Sequence, residues 1–159
     1  MIIIKIIISL LTILLTFSNF VYAEIIQKIN TFDNTTQIKS YYKDKNIKLP
    51  QILIFKKTGN DYYLLGKNAF RTINYLTTLE NAKIKINDKI YSVEYRTFDL
   101  SNNFSFKFND EILKEIKNAN NIQIQLPIHT TVDTDIVDYY SFSIPKNVLN
   151  EWKQVIAME

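Results

Sequence analysis

Cysteine is absent from this sequence of 159 residues. The absence excludes disulfide bonds, thiol catalysis, redox relays and cysteine-based metal sites. If the chain is exported, core packing alone must therefore hold it together. Glycine occurs only 2 times and proline only 3 times, a usage typical of an AT-rich coding sequence. Phosphate-binding loops, dinucleotide fingerprints, zinc patterns and RNP-like aromatic motifs are absent too, so we expect no cofactor.

A strong charge of one sign is also missing. The chain has 19 Lys and Arg against 16 Asp and Glu, a formal charge of +3. One of these cations, Lys5, lies in the N-terminal segment, so the rest of the chain is close to +2, with 18 cations and 16 acids. This excess is too small to indicate binding to nucleic acid or to an anionic membrane. Hydrophobic residues make up 47% of the chain, which is enough for a core in one domain.

Residues 1–23 have the pattern of a secretory signal peptide. Lys5 provides a positive charge, an apolar run follows from Ile6 to Leu15, and Ala23 ends an A-x-A-like cleavage site. Cleavage would leave Glu24 as the new N-terminus, and the alternative is an uncleaved anchor. No cysteine follows the site, which excludes a bacterial lipoprotein. We expect an exported protein of a Gram-negative bacterium, in the periplasm or at the cell surface, that meets a membrane only through this segment before cleavage.

The clearest structural pattern is a β-hairpin from Ala82 to Thr97 with a two-residue turn at Asn87-Asp88, residues that tolerate positive φ. This register places Ile84 opposite Tyr91 and Ala82 opposite Val93, and a slip by one residue would split the apolar face. The buried face should carry Ala82, Ile84, Ile86, Tyr91, Val93 and Tyr95. The exposed face should carry Lys83, Lys85, Asn87, Ile90, Ser92, Glu94 and Arg96. The hairpin thus predicts a half-buried antiparallel sheet.

The remaining segments predict one β-rich domain over residues 48–159, preceded by an extended, flexible lead-in over 24–47 with a strand near 37–43. Segment 68–79 fits a helix or a strand, and we favour a strand or irregular structure. The other predicted strands are Gln51–Phe55, Asp61–Leu65 after a turn at 58–61, Phe104–Phe108, Ile122–Leu126 and Ile136–Ile144.

Two short helices complete the domain. Asp110 should cap the first, Glu111–Asn118, and Pro145 fits the first turn of a closing helix. The apolar stripe of the closing helix should anchor it on the sheet, mainly through Trp152. The stripe consists of Val148, Leu149, Trp152, Val155 and Ile156. The predicted fold is mostly β with two short helices and six to eight strands, arranged as an antiparallel sandwich or a partly open barrel.

His129 is the only histidine and therefore the first candidate for a catalytic base. A hydrolase would need a nucleophile and an orienting carboxylate beside it, and Thr130, Thr131, Asp133 and Asp135 are near in sequence. The simpler interpretation, which we favour, is a polar loop over residues 127–135.

Two groups of acidic residues have the residue types needed for a metal site or for acid–base catalysis. Asp133, Asp135 and Asp138 are oxygen donors of the type that binds Ca²⁺, but they lack the glycine and the later bidentate acid of a calcium loop. Glu94 and Asp99 flank Arg96, and paired carboxylates serve as acid and base in glycosidases. For Glu94 the simpler interpretation is an exposed cross-strand partner of Lys83. We therefore expect neither a metal site nor an enzyme.

Paired tyrosines are the feature most relevant to function. They occur at 41–42, 62–63 and 139–140, and successive residues of a strand face opposite sides of a sheet. One tyrosine of each pair should then be exposed, and exposed tyrosines favour interfaces. We select Tyr41, Tyr63 and Tyr139 as a possible interaction surface. The alternative is burial on both faces, or scattered aromatic residues without a role.

From residue 83 onward the chain resembles the invasion-associated locus B family of small exported bacterial proteins. The resemblance lies in the order of elements: a strand ending in Ile86-Asn-Asp-Lys89, the strand Phe104–Phe108, a short helix, the strand Ile122–Leu126, and a closing strand and helix. The family's cysteine pair and its closing Gly-Phe are missing here. The resemblance implies an envelope or host-interaction protein without enzymatic activity.

These observations favour an exported, non-enzymatic envelope protein that binds an envelope or host protein. The alternative is a periplasmic binder of a small ligand, or an inhibitor-type binder. A third hypothesis is a hydrolase centred on His129. An exposed aromatic patch would support the first, an apolar cavity with few polar groups the second, and a histidine cleft with a carboxylate and a hydroxyl the third.

Overall fold

The fold is known from a computed structural model, which describes residues 23–29, 31, 35–43, 50–67, 74–98, 103–130 and 133–158. For residues 23, 74, 75, 130 and 133–137 it describes the backbone alone. The described part consists of two antiparallel sheets and two helices around a common core, and the sheets do not close into a barrel. The predicted fold class is therefore confirmed.

The first sheet has six strands in the order β1-β2-β3-β4-β9-β8. The strands are β1 (Ala23–Ile29), β2 (Thr36–Lys43), β3 (Ile52–Thr58), β4 (Asp61–Lys67), β8 (Arg96–Phe98) and β9 (Asn103–Phe108). The first four form a continuous meander, and the predicted turn at 58–61 contains Gly59 in a left-handed conformation with φ +55°. In β9, as predicted, Phe104, Phe106 and Phe108 all face the core.

The second sheet has the order β11-β10-β6-β7, and the short strand β5 also pairs with β10. The strands are β5 (Asn74–Leu76), β6 (Ala82–Ile86), β7 (Lys89–Val93), β10 (Ile122–Thr130) and β11 (Asp133–Ser143). The two sheets meet through their inner faces, where the ring centroids of Phe104 and Phe142 lie 6.4 Å apart. Their outer faces therefore point away from a shared core.

The β6–β7 hairpin has the predicted register, with Ile84 opposite Tyr91 and Ala82 opposite Val93. The turn residue Asn87 has φ +52°, and its Oδ1 accepts a hydrogen bond from the backbone N–H of Asn120 at 2.9 Å. The second strand ends at Val93 and does not reach Thr97 as predicted. The chain instead leaves the second sheet and enters the first as β8.

Both helices pack on the core side of the sheets. Helix α1 (Asp110–Lys117) is capped by Asn109, not by Asp110 as predicted, because the Asn109 Oδ1 accepts the backbone N–H of Ile112 at 2.9 Å. Helix α2 (Lys146–Ala157) follows Pro145 and buries the whole predicted stripe. Its Trp152 ring stacks on Phe55 in β3 with 5.0 Å between centroids. Neither helix of the described residues has the length and apolar character needed to cross a membrane.

Two predicted segments differ from the structure. Strand β2 confirms the strand predicted near 37–43, whereas β1 was not predicted in the lead-in. Both strands belong to the first sheet, which therefore begins well before residue 48. Most of the polar loop predicted over 127–135 is a hairpin, since residues 127–130 belong to β10 and 133–135 to β11. Pairing with β5 and β11 holds this segment in extended form although its sequence is polar. Segment 68–79 contains β5, and residues 68–73 lie outside the described residues.

Candidate functional site

The outer face of the first sheet combines cations with half-exposed apolar side chains. The pairing register aligns Tyr41 with Ile54 and then Ile54 with Leu65, so these three form a row across adjacent strands. The next row contains Lys39, Lys56, Tyr63 and Lys107. We call this surface the basic face, and its cations among the described residues are Lys28, Lys39, Lys43, Lys56, Lys67, Arg96 and Lys107.

Acidic residues are scarce on the basic face. Among the described residues only Glu24 and Asp61 lie there, so seven cations less two acids leave a formal charge of +5. This exceeds the +3 of the whole chain. The helices and the second sheet pack on the opposite side of the first sheet, as the contacts of Trp152 with Phe55 and of Phe104 with Phe142 show. The basic face therefore carries charge that the composition of the whole chain hides.

One ion pair orders the end of this face. Lys107 Nζ lies 2.7 Å from Asp61 Oδ1, and the Tyr63 hydroxyl donates to Asp61 Oδ2 at 3.2 Å. The hydrogen bond from Lys107 lowers the pKa of Asp61, and the same contact raises the pKa of Lys107. Both groups therefore stay charged at neutral pH, and the Tyr63 ring is held beside them.

An open cleft of about 720 Å³ adjoins the basic face where the chain passes from β7 to β8. Its lining residues are Tyr63, Ser92, Val93, Glu94, Tyr95, Arg96, Ser105, Phe106, Lys107, Asn109 and Ile112. Tyr95 fixes one wall, because its buried hydroxyl donates its hydrogen to the carbonyl of Thr77, with the carbonyl of Pro127 as a second, weaker acceptor at 3.3 Å. Burial raises the pKa of this phenol, so it remains a neutral donor.

The structure separates the three selected tyrosines. Tyr41 and Tyr63 lie half-buried on the basic face, in neighbouring rows. Tyr139 lies on the outer face of the second sheet, where its hydroxyl donates to Glu80 and Lys83 Nζ sits 5.0 Å from its ring centroid. The hydrogen bond to Glu80 raises the pKa of Tyr139. The three residues therefore do not form one surface, although each lies on an outer face.

His129 lies within β10, opposite Tyr75 of β5, with only 5% of its surface exposed. It is thus neither in the predicted loop nor in the cleft. The side chains of Thr130, Asp133 and Asp135 lie outside the described residues, as does Thr131, and these are the residues of the hydrolase and calcium alternatives that the sequence analysis did not favour. Within the described part of the chain, no group of three potential acidic, histidine or cysteine ligands could hold a metal.

Glu94 is not the cross-strand partner of Lys83, because the ladder pairs Lys83 with Ser92 and ends at Val93. It instead lines the cleft together with Arg96. Asp99, the second carboxylate considered as a catalytic partner of Glu94 but not favoured, lies outside the described residues. Ala23 and Glu24, the predicted cleavage site, are the first two residues of β1.

Neither the surface position of Ile54 and Leu65 nor the cleft was predicted from the sequence. The positions of Ile54 and Leu65 follow from the predicted hairpin turn, because that turn places these two residues opposite each other. The cleft has no local signal in the sequence, because it forms only where the chain changes sheets.

Comparisons with protein-family models, with curated proteins and with solved structures find no match for the chain.

Proposed function

We propose that this protein is exported to the cell envelope and acts there, without catalysis, by binding an acidic protein surface through its basic face. The observation that carries the proposal is the row of Tyr41, Ile54 and Leu65 beside the lysines of that face. Half-exposed aromatic and aliphatic side chains supply contact area, and the surrounding charge of +5 selects an acidic partner.

Export is supported by the signal pattern of residues 1–23 and by the position of the cleavage site. Cleavage after Ala23 would remove only the first residue of β1 and would leave Glu24 paired with Tyr41. The partner would then be another envelope protein or a host protein. The resemblance to the invasion-associated locus B family points in the same direction and stays a prediction.

The test is a cross-linking pull-down from envelope extract and from host-cell lysate, with the protein produced from the full chain. We compare Lys39→Gln/Lys56→Gln on the basic face with Lys83→Gln/Lys85→Gln on the second sheet. Both variants lose two positive charges from strand positions, one pair from each outer face, so the comparison tests the location of the charge. We expect a dominant acidic partner whose capture falls about tenfold in the first variant and stays unchanged in the second.

Salt concentration and tyrosine variants test whether capture depends on the charge and on the aromatic side chains of the basic face. Capture should weaken when salt is raised from about 0.05 M to about 0.5 M, because the Debye length shrinks severalfold. Tyr41→Ser/Tyr63→Ser should also lose the partner, and Tyr139→Ser should keep it. A partner that is lost equally in both lysine variants, or only in Tyr139→Ser, would contradict the proposal.

The cleft favours a second candidate function, the binding of a small ligand. Its volume of about 720 Å³ lies within the range of ligand pockets. Buried apolar residues and exposed polar residues both contribute to its lining. The cleft shares Tyr63, Arg96 and Lys107 with the basic face, so a ligand bound there would lie at the edge of the surface proposed for the protein partner.

A further inference from the structure

The cleft beside β8 has an apolar floor. Strand β8 pairs only with residues 103–105, so β9 extends beyond it to Phe108. The floor beside this uncovered part of β9 contains Phe106, Val93 and Ile112, each less than 8% exposed. Each of these side chains keeps only a narrow exposed edge, so a ligand with a hydrocarbon or aromatic body would gain dispersion contacts with these edges more than new apolar burial.

The rim of the cleft offers one available cation. Lys107 is held by Asp61, whereas exposed Arg96 makes no ion pair with any other described residue. A guanidinium presents paired N–H donors that match the two oxygens of a carboxylate. Ser105, the strand neighbour of Arg96, adds a hydroxyl to the same lining.

Glu94 limits the charge of what can bind. It is exposed and lines the same cleft two residues before Arg96. Its carboxylate would repel a second negative charge on a ligand, and such repulsion contributes to specificity. The rim therefore suits a monoanion better than a dianion.

We propose that this cleft binds small monocarboxylic acids, with the carboxylate on Arg96 and the apolar body over Phe106 and Ile112. The inference rests on the second candidate function, since it names the ligand class of the same cleft. A free organic acid and the C-terminus of a short peptide share this chemistry.

The test uses ¹⁵N-labelled protein, produced from the full chain and titrated by NMR with four probes. 3-Phenylpropionate is the monoanion, 3-phenylpropionamide is its neutral counterpart, benzylsuccinate is the dianion, and Gly-Gly-Phe represents a peptide terminus. We expect 3-phenylpropionate to shift the amides of Ser105 and Lys107 with a Kd on the order of 1 mM. The amide and the dianion should bind about tenfold more weakly.

Two variants locate the effect. Arg96→Gln should remove the preference for the acid over the amide and leave amide binding unchanged, whereas Lys85→Gln on the second sheet should change neither. Unperturbed spectra of both variants verify the fold. Binding of Gly-Gly-Phe but not of 3-phenylpropionate would identify a peptide C-terminus as the natural ligand. Binding of 3-phenylpropionate but not of Gly-Gly-Phe would identify a free organic acid.

The outcomes separate the two levels of the proposal. If acid and amide bind equally at the cleft, the cleft is a ligand site but the carboxylate class is wrong. If no probe shifts cleft amides up to about ten times the expected Kd, the ligand class and the second candidate function are both overturned. Shifts confined to other regions would overturn both as well.

Discussion

The two sheets fill their inner faces with different kinds of side chain. The first sheet and the helix on it contribute six buried rings, Tyr42, Phe55, Phe104, Phe106, Phe108 and Trp152. The strands of the second sheet contribute mainly aliphatic residues, among them Ile84, Ile86, Ile122, Ile124 and Leu126. Rings pack in preferred relative orientations, whereas aliphatic cores accept volume-conserving changes at low cost. The first sheet should therefore depend more strongly on shape than the second.

The outer faces of the two sheets differ in how many apolar side chains they leave available for binding. The first sheet presents the basic face, with half-exposed apolar residues among its cations. The outer face of the second sheet is polar along β10, with Gln123 and Gln125, and its Tyr139 is already engaged by Glu80 and Lys83. It also presents the exposed side chain of Ile90, but without a row of apolar neighbours like Tyr41, Ile54 and Leu65. A face whose apolar groups remain available is better suited to binding. The first sheet, whose core packing depends more strongly on shape, thus also has the outer face better suited to binding a partner.

The largest effect is expected from Trp152→Ala, which removes the ring that joins α2 to the first sheet. Trp152 is 1% exposed and stacks on Phe55, so its loss should lower the free energy of unfolding by about 3–5 kcal/mol. Urea unfolding followed by circular dichroism measures this. Trp152→Phe keeps a ring and removes an Nε1 that has no hydrogen-bond partner among the described residues, so it should cost far less. Equal losses in both variants would show that ring stacking is not what matters.

Gly66→Ala should give the next largest effect and tests the dependence on shape directly. A Cβ on Gly66 would lie 2.2 Å from Cζ of Phe104, its partner across β4 and β9. The ring must move, and overpacking of this kind costs about 1–3 kcal/mol. Gly66→Ala should lower the free energy of unfolding less in a Phe104→Leu background than in the parent, because the ring that the new Cβ would meet is gone. If the two changes are simply additive in urea unfolding, the close approach is not the cause.

Much of this fold could be predicted from local patterns. Alternation in β9 and in the β6–β7 hairpin was sufficient, because one face of each strand is buried and period two is then visible. The stripe of α2 was equally clear at helical spacing. The hairpin after Pro127 was not predictable, since its polar residues resemble a loop and only pairing with β5 and β11 makes it extended.

The candidate sites were predictable only in part. The tyrosine pairs correctly placed Tyr41 and Tyr63 on outer faces, because alternation along a strand needs no tertiary information. That these two share a face while Tyr139 does not depends on which strands join which sheet. The role of Glu94 in the cleft likewise depends on the end of the β7 ladder at Val93. Such facts arise from long-range pairing and leave no local trace.

The second sheet should be more sensitive at its turn than in its aliphatic core. Asn87 has φ +52° and accepts N–H groups of Asn120 and Asn121, so Asn87→Ala loses both adaptations. We expect a loss of about 1–2 kcal/mol in thermal or urea unfolding. Asn87→Gly keeps the conformation and loses only the hydrogen bonds, so it should cost less. Ile124→Val in the core should cost about 0.5–1.5 kcal/mol, and a cost above that of Asn87→Ala would reverse this ranking.

The smallest effect is expected at Glu151, a polar exception in the packing of α2 on the first sheet. Ser40 Oγ donates to Glu151 Oε2 at 2.7 Å, and burial raises the pKa of this carboxyl. A carboxyl whose pKa is raised by folding stabilises the fold when protonated, and this contribution is lost as the pH rises through the folded-state pKa. Glu151→Gln stays neutral, so it should match the parent below about pH 4 and be more stable by up to about 0.5 kcal/mol at neutral pH.

Urea unfolding at both pH values measures this difference. Ser40→Ala provides the matched variant, because the hydrogen bond from Ser40 lowers the pKa of Glu151 against the effect of burial. Without it the pKa should rise further, and stability should fall more steeply between acidic and neutral pH than in the parent. A Glu151→Gln variant that is less stable than the parent at neutral pH would mean that the charged carboxylate, held by Ser40, stabilises the contact between helix and sheet.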